Sequence, residues 1–165
     1  ERVRSLLLAE SPKGMMVQRD YDTSLPELIG DREKLIQAVL NIARNAVQAM
    51  QNQAQGQNHG QVQHQITLRT RAERQVTLSK KRYRVAIKLQ IIDNGPGIPS
   101  EIRDRIFYPL VSGREGGSGL GLTLAQTFIT QHHGMIECES QAGHTCFTIL
   151  LPIESTAMKH LTIKQ

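Results

Sequence analysis

Hydrophobic and polar positions follow two different periods along this chain, and the periods predict helices and strands. From 32 to about 50, apolar residues recur at steps of three and four, which is the period of one buried helix face. From 82 to 93 they alternate with polar residues, as on a strand with one buried face. The predicted buried residues are Leu35, Val39, Ile42, Ala46 and Met50 in the helix, and Val85, Ile87, Leu89 and Ile91 in the strand.

Shorter patterns and turn residues predict the other elements. Asp31 is a good N-cap for the long helix. A second helix is predicted over about 119–133 by Leu120, Leu124 and Phe128, which are stacked one turn apart, with Gly134 as its stop. Beyond these we predict a helix end over 1–9, strands near 15–21, 65–71, 135–140 and 145–151, a short helix over 100–107, and a flexible surface loop over 51–63.

These elements predict one α/β (α+β) domain, a two-layer sandwich of a mixed β-sheet with helices packed on one face. A chain of 165 residues has room for one proper core. The apolar run Leu6-Leu7-Leu8-Ala9 is far too short for a membrane span, so no membrane contact is expected. The two cysteines match no metal spacing and are interpreted as buried, reduced thiols of a cytoplasmic protein.

The net charge of +5 raises the possibility of nucleic-acid binding, because basic residues are concentrated between 69 and 88. Such a run is compatible with a phosphate-binding stripe. However, only Tyr83 is interleaved and no nucleic-acid motif is present. We therefore interpret the run as a solvated hairpin face and expect no nucleic-acid partner.

The strand that ends at Asp93 is followed by a proline between two glycines, Gly95 and Gly97. Glycines allow a flat ring to approach the backbone. A buried carboxylate must find a donor, and the amino group of adenine is a suitable one. The alternative is that Asp93 caps its own turn.

A glycine-rich segment over 116–121 leads into the second predicted helix, where exposed N–H groups favour phosphate. It is neither a Walker loop nor the dinucleotide fingerprint, and it is not a serine nucleophile elbow. The alternative is a plain helix start with a mobile loop.

Asn41 and Asn45 lie one turn apart on the polar side of the long helix. Their neutral oxygens suit Mg²⁺ bound to a triphosphate, because Mg²⁺ keeps several waters and accepts few protein oxygens. The alternative is a solvent-facing polar stripe.

Together these segments resemble the ATP-binding catalytic domain of two-component histidine kinases, in the GHKL superfamily shared with gyrase, the heat-shock chaperone and mismatch-repair ATPases. The resemblance implies the Bergerat-type fold over residues 10–153, with 1–9 as the end of a preceding dimerisation and acceptor hairpin and 154–165 as a tail. The matching segments are an asparagine box over 31–46, a first glycine box over 93–97, a phenylalanine box over 107–109, a second glycine box over 117–122 and a closing strand motif over 143–147.

The resemblance also implies ATP and Mg²⁺ as cofactors and a role for each matching residue. Asn45 would coordinate Mg²⁺, Asn41 would lie beside it near the phosphates, and Asp93 would bind the adenine amino group. The other implied nucleotide contacts are Arg44, Gly95, Gly97, Ile98, Arg114, Gly117, Ser118, Gly119, Leu120, Gly121, Leu122 and Thr145.

One position favours phosphoryl transfer over ATP hydrolysis. In the ATPase branch of the superfamily a glutamate four residues before the metal asparagine acts as general base, and here that position is Asn41. A neutral imidazole nucleophile needs no such base. Since none of the six histidines has the context of an acceptor, the chain is expected to be a kinase fragment that is nearly inactive alone. The alternatives are a GHKL-type ATPase and an ATP-sensing interaction module.

The segments over 47–50 and 107–115 further resemble the nitrogen-regulation sensor kinases of enteric-type bacteria. This implies phosphorylation of a histidine on the acceptor domain of the same protein, then transfer to the response regulator NtrC. It also implies a phosphatase activity controlled by the PII signal protein. The full-length protein is expected to be a homodimer and this fragment a monomer.

Overall fold

The structure is a computed structural model that describes residues 1–11, 13–56, 63–109 and 119–154. Within them it has one five-stranded sheet and four helices. The strands are β1 (Met16–Tyr21), β2 (Gln65–Leu78), β3 (Lys81–Asp93), β4 (Met135–Gln141) and β5 (His144–Pro152). The helices are α1 (Arg2–Glu10), α2 (Arg32–Gly56), α3 (Ser100–Arg103) and α4 (Gly121–Gln131).

The sheet is mixed, with strand order β1-β2-β3-β5-β4. β1 pairs parallel with β2, and the other neighbouring strands are antiparallel. The core lies between one sheet face and the helices, and its fully buried side chains include Ile42, Ile66, Ile129 and Ile149. The predicted two-layer α/β fold is confirmed.

Helix α2 forms the centre of the helical layer. The Asp31 carboxylate caps it by accepting a hydrogen bond from the Lys34 N–H (3.1 Å), as predicted. Its predicted buried face is confirmed, with Ile42 and Met50 fully buried. The helix nevertheless continues to Gly56, six residues beyond the predicted end, so the loop prediction was wrong over 51–56. Glutamine and alanine are good helix formers, and a lack of apolar residues does not end a helix. Residues 57–62 of the predicted loop lie outside the described ranges.

The hairpin of β2 and β3 is longer than predicted, because β2 extends from the predicted end at 71 to Leu78. Ser79 and Lys80 form its two-residue turn, both with positive φ (48° and 68°), the conformation of a type I′ turn. Sequence patterning missed the extension because the polar residues over 71–75 do not alternate with apolar ones. The predicted helix over 100–107 was also too long, since α3 is a single turn followed by turns through 107.

Of the three stacked residues that predicted helix α4, Phe128 packs against the core. Ala125 and Ile129 are fully buried, whereas Leu120 and Leu124 are 49% and 36% exposed. The helix ends through His133, which has a φ of 57°, rather than through a left-handed glycine. Gly134 is required for a different reason, because a Cβ there would lie 2.6 Å from the carbonyl oxygen of Leu150 on β5.

His132 joins the end of α4 to the start of α2. Its Nε2 accepts a hydrogen bond from the backbone N–H of Asp31 (2.9 Å), while Nδ1 lies 2.7 Å from the Phe128 carbonyl oxygen. Because Nε2 accepts a hydrogen bond and Nδ1 faces a carbonyl oxygen, the ring is the neutral tautomer with the proton on Nδ1. Within the described ranges, no helix combines the length and hydropathy needed to cross a bilayer.

Candidate nucleotide site

One row of side chains runs across the sheet at the end of β3. Strand pairing places residues of all five strands in this row: Val17, Ile66, Asp93, Thr145 and Ser140. Asp93 and Thr145 are directly opposite each other on β3 and β5. Both are buried, and they are the buried polar residues among the described part of the chain. Two polar side chains that the sequence separates by 52 positions are thus brought together on the helix-covered face.

The Asp93 carboxylate is largely removed from water, with 6% of the residue exposed. Its Oδ1 accepts a hydrogen bond from the Gly95 N–H (2.9 Å). Burial raises the pKa of this carboxyl group above its usual range, and the Gly95 hydrogen bond opposes the shift only partly. The turn-capping role of Asp93 is therefore real, but one bond from a neutral amide leaves a buried carboxylate short of donors.

The loop after Asp93 is fixed on the turn between β4 and β5. Gly97 has a φ of +85°, and a Cβ there would lie 2.8 Å from the carbonyl oxygen of Gln141. The Gly143 N–H donates to the Gly95 carbonyl (2.9 Å). Gly95 is also closely surrounded, because a Cβ there would lie 2.8 Å from the Asp93 carboxylate and 3.0 Å from the Met50 side chain. Glycine is therefore needed at both positions because neighbouring parts of the chain lie so close.

Asn94 has a structural role that sequence reasoning missed. Its Oδ1 accepts from the Gln65 N–H and its Nδ2 donates to the Gln63 carbonyl, both at 2.9 Å. Asn94 therefore secures the start of β2 to the end of β3. An asparagine directly after a strand indicates a side-chain hydrogen bond to nearby backbone. The sequence could not identify the partner of Asn94, however, because Gln65 lies 29 residues away.

The asparagines of α2 lie beside the start of α4. Asn41 Nδ2 donates to the Gly121 carbonyl (3.3 Å). A Cβ on Gly121 would be 3.9 Å from both the Asn41 Cβ and the Asn45 Nδ2. The structure thus brings the two asparagines together beside the N-terminus of α4, and the first N–H groups of a helix have no partner within the helix itself.

The phenylalanine-box residues connect the sheet to α4. The Phe107 ring packs edge-on against Phe147 of β5, with ring centroids 6.3 Å apart. The Thr123 hydroxyl of α4 donates to the Phe107 carbonyl (3.0 Å). These contacts fix both sides of the segment 110–118, which itself lies outside the described residues.

Of the other residues predicted to contact the nucleotide, some lie beside the candidate site and one lies away from it. Gly119 and Leu120 directly precede α4, Leu122 is in its first turn, and Ile98 ends the loop after Asp93. Arg44 lies elsewhere: its guanidinium pairs with the Glu10 carboxylate of α1 at 2.7 and 2.6 Å, on the side of α2 that faces α1. Arg114, Gly117 and Ser118 lie outside the described residues.

Burial raises the pKa of the Cys138 thiol to about 12, with the charge of Asp93 as the second cause. Cys138 is half-buried and Cys146 is buried, and neither forms a disulfide. The predicted reduced state fits these environments.

No group of three or more His, Cys, Asp or Glu side chains within the described ranges is arranged to hold a metal ion. A metal at this site would depend on amide oxygens, phosphate oxygens and water, the donor set that suits Mg²⁺.

Residues 30–155 match the family described as histidine kinase-, DNA gyrase B-, and HSP90-like ATPases, which covers the site and most of the chain. The chain belongs to this family. It is 49% identical over 153 residues to the sensory histidine kinase/phosphatase NtrB of Vibrio alginolyticus, and 51% identical to NtrB of Klebsiella oxytoca. Each alignment covers 93% of this chain and 41% of the relative, so the chain spans about two fifths of the length of these proteins. NtrB of Rhodobacter capsulatus is 41% identical over 144 residues, covering 84% of this chain and 37% of the relative.

Solved histidine kinases share the fold. The mycobacterial sensor histidine kinase MprB aligns with a TM-score of 0.68 at 23% identity, covering 92% of this chain and 89% of that one. The catalytic domain of the histidine kinase ThkA aligns with a TM-score of 0.69 at 22% identity, covering 92% and 88%. The predicted fold is confirmed by these structures, and the predicted family, with histidine kinases named NtrB among the relatives, is confirmed by the sequence matches.

Proposed function

We propose that this chain binds Mg-ATP and donates the γ-phosphoryl group to a histidine on an acceptor hairpin elsewhere in the same protein. The observation that supports the proposal is that the fold provides two sets of residues suited to the two ends of a nucleotide. The buried Asp93–Thr145 pair provides a base-binding end, and the asparagines beside the α4 N-terminus provide a phosphate end.

At the base end, the ionised Asp93 carboxylate accepts a hydrogen bond from the adenine amino group. Guanine presents a carbonyl oxygen at that ring position, so it would face the carboxylate with a second acceptor. At the phosphate end, the first N–H groups of α4 bind phosphate oxygens. Asn45, with Asn41 beside it, would hold Mg²⁺, which when bound neutralises phosphate charge.

Asn41 supports transfer rather than hydrolysis. A carboxamide has no basic site at neutral pH, so it cannot remove a proton from water. A neutral imidazole attacks phosphorus without losing a proton first. Positioning and charge stabilisation by Asn41, Asn45 and α4 are then sufficient for phosphoryl transfer.

The relatives are named as histidine kinase/phosphatases, which supports both activities for the whole protein, and the partners follow from the resemblance found in the sequence. We propose that the acceptor histidine passes its phosphoryl group to the response regulator NtrC, and that a phosphatase activity is controlled by the PII protein. The homodimeric state of the whole protein belongs to the same proposal.

Two measurements test the central step. Calorimetric titration with ATP and GTP, each with and without Mg²⁺, should give ATP-selective binding that depends on Mg²⁺. With [γ-³²P]ATP, label should appear on an added acceptor hairpin from the same full-length protein. Asn45→Ala should abolish labelling, whereas Asn52→Ala, an exposed asparagine on the same helix, should not. Release of inorganic phosphate without a labelled hairpin would indicate an ATPase, and no ATP binding would contradict both functions.

A further inference from the structure

Ser140 of β4 lies at the edge of the candidate site and was not among the residues that the sequence predicted there. It is directly opposite Thr145 in the β4–β5 pairing. Its Oγ accepts a hydrogen bond from the Ile98 N–H (2.8 Å) and lies 2.8 Å from the Thr145 Oγ1. Ser140 thus joins the end of the loop after Asp93 to the buried threonine beside Asp93.

Either hydroxyl of the Ser140–Thr145 pair can donate to the other, because an oxygen that accepts from Ile98 can still accept a second hydrogen bond. A backbone N–H only donates, so the Ser140 oxygen is the acceptor from Ile98. The direction that gives the Ser140 hydrogen an acceptor in this chain is the one in which it donates to the Thr145 oxygen. With its oxygen accepting from Ser140, Thr145 has its own hydrogen to donate to another group.

The direction of the hydrogen bonds matters for a bound purine ring because of its N1 atom. Adenine N1 has a lone pair and accepts a hydrogen bond, whereas guanine N1 carries a hydrogen and donates one. A donating Thr145 hydroxyl suits adenine. If Thr145 instead donated to Ser140, the Ser140 hydrogen would lose this acceptor.

We propose that Ser140 is a positioning residue for base recognition: it sets the Thr145 hydroxyl to donate to N1 of adenine, directly or through one water. The inference rests on the proposed ATP-binding function and adds a second point of base discrimination beside Asp93. Asp93 accepts a hydrogen bond from the amino group, and Thr145, positioned by Ser140, donates one to the neighbouring ring nitrogen.

The alternative is that Ser140 only anchors the loop through Ile98. The two roles differ in their sensitivity to the ligand. An anchor lowers the affinity for every nucleotide by the same factor, whereas a positioning residue lowers it only for nucleotides that present the N1 acceptor.

The test is a double-mutant cycle between Ser140 and the N1 atom. ATP and 1-deaza-ATP, in which N1 is replaced by C–H, are titrated into the wild-type chain and into Ser140→Ala, Ser140→Thr and Thr148→Ala. Thr148 is the matched control, because its hydroxyl is bonded by Gln90 on the opposite face of β5. Thermal unfolding of each variant monitors the fold separately.

The wild-type chain should bind ATP about three- to tenfold more tightly than 1-deaza-ATP, the factor expected for one hydrogen bond. Ser140→Ala should bind both ligands equally, while Ser140→Thr, which keeps the hydroxyl, and Thr148→Ala should keep the wild-type preference. Equal weakening of both ligands in Ser140→Ala, with the preference retained, would show a loop anchor and overturn the inference. A wild-type chain that binds ATP without an N1 preference would overturn the inference and leave the proposed function intact; one that binds no ATP would overturn both.

Discussion

At the scale of single residues, Asp93 shows a conflict between stability and binding. Burial raises the pKa of its carboxyl group, and the Gly95 N–H compensates only in part. The folded chain therefore keeps this proton at pH values where the unfolded chain has lost it. Across that window the free energy of unfolding falls as the pH rises, the reverse of the behaviour of a salt-bridged aspartate.

Replacing Asp93 by asparagine should separate the two effects. The introduced carboxamide would retain an oxygen for the Gly95 N–H but carry no charge, so the melting temperature of Asp93→Asn at pH 7 should equal or exceed that of the wild-type chain. Its ATP affinity should fall by about tenfold or more, the factor for losing a hydrogen bond to a charged group. Wild-type affinity should also fall as the pH is lowered through the raised pKa.

Titrations of both proteins between pH 8 and pH 5 check this prediction. The Asp93→Asn variant reports the titration of the nucleotide itself, which is subtracted. An Asp93→Asn chain that is markedly less stable at pH 7, or that retains full ATP affinity, would show that the carboxylate is structural.

At the scale of elements, the loop between β3 and α3 depends on its contact with the β4–β5 turn. Gly97 and Gly143 both have positive φ, +85° and +81°. A side chain on Gly97 would collide with the Gln141 backbone, whereas nothing lies within 4 Å of a Cβ on Gly143. The pair therefore separates the cost of backbone conformation from the cost of collision.

Gly143→Ala should lower the free energy of unfolding by about 1–2 kcal/mol, the cost of a left-handed backbone for an L-residue. Gly97→Ala should cost more, because the loop must also move away from the turn. That movement displaces Ile98, so Gly97→Ala should weaken ATP binding while Gly143→Ala should not. Urea unfolding and ATP titration of both variants provide the measurements, and equal effects would contradict this account of the loop.

Elements with strong local signals were predicted from the sequence, and those decided by distant contacts were not. The Asp31 cap and the three- and four-residue steps place α2 correctly, because cap and buried face are local properties. The face that α4 buries depends on where the sheet and α2 lie, and of the stacked residues Phe128 packs against the core whereas Leu120 and Leu124 are exposed. The contact of His132 was not predicted for the same reason, since its partner Asp31 is 101 residues away.

The candidate site divides in the same way. Motifs placed Asp93, Asn41 and Asn45 without any structure, because each stands in a segment of recognisable composition. Ser140 carries no such composition. The Ala142-Gly143 turn predicts a two-residue hairpin, and its register places Ser140 opposite Thr145, so a register argument would have found it.

At the scale of the whole molecule, the family match begins at residue 30, but the core begins earlier. Val3 and Leu7 of α1 are buried in the same core as α2 and the sheet. The Arg44–Glu10 pair adds a bidentate contact between α1 and α2, although both side chains are more than 40% exposed. Arg44, expected at the phosphates, instead helps to hold α1 in place.

If α1 is part of the core, a cavity in it should destabilise the whole chain. Leu7 is 1% exposed, and Leu7→Ala should lower the free energy of unfolding by about 2–5 kcal/mol in a single cooperative transition. Leu8, on the same helix and 45% exposed, is the control, and Leu8→Ala should change stability by about 0.5 kcal/mol or less. Because α1 packs on α2, which carries Asn41 and Asn45, Leu7→Ala should also weaken ATP binding, whereas Leu8→Ala should leave it unchanged. Denaturant unfolding and ATP titration of the two variants measure this. Equal stability of Leu7→Ala and Leu8→Ala would mean that α1 contributes nothing to the fold, and would place the start of the folded domain after residue 10.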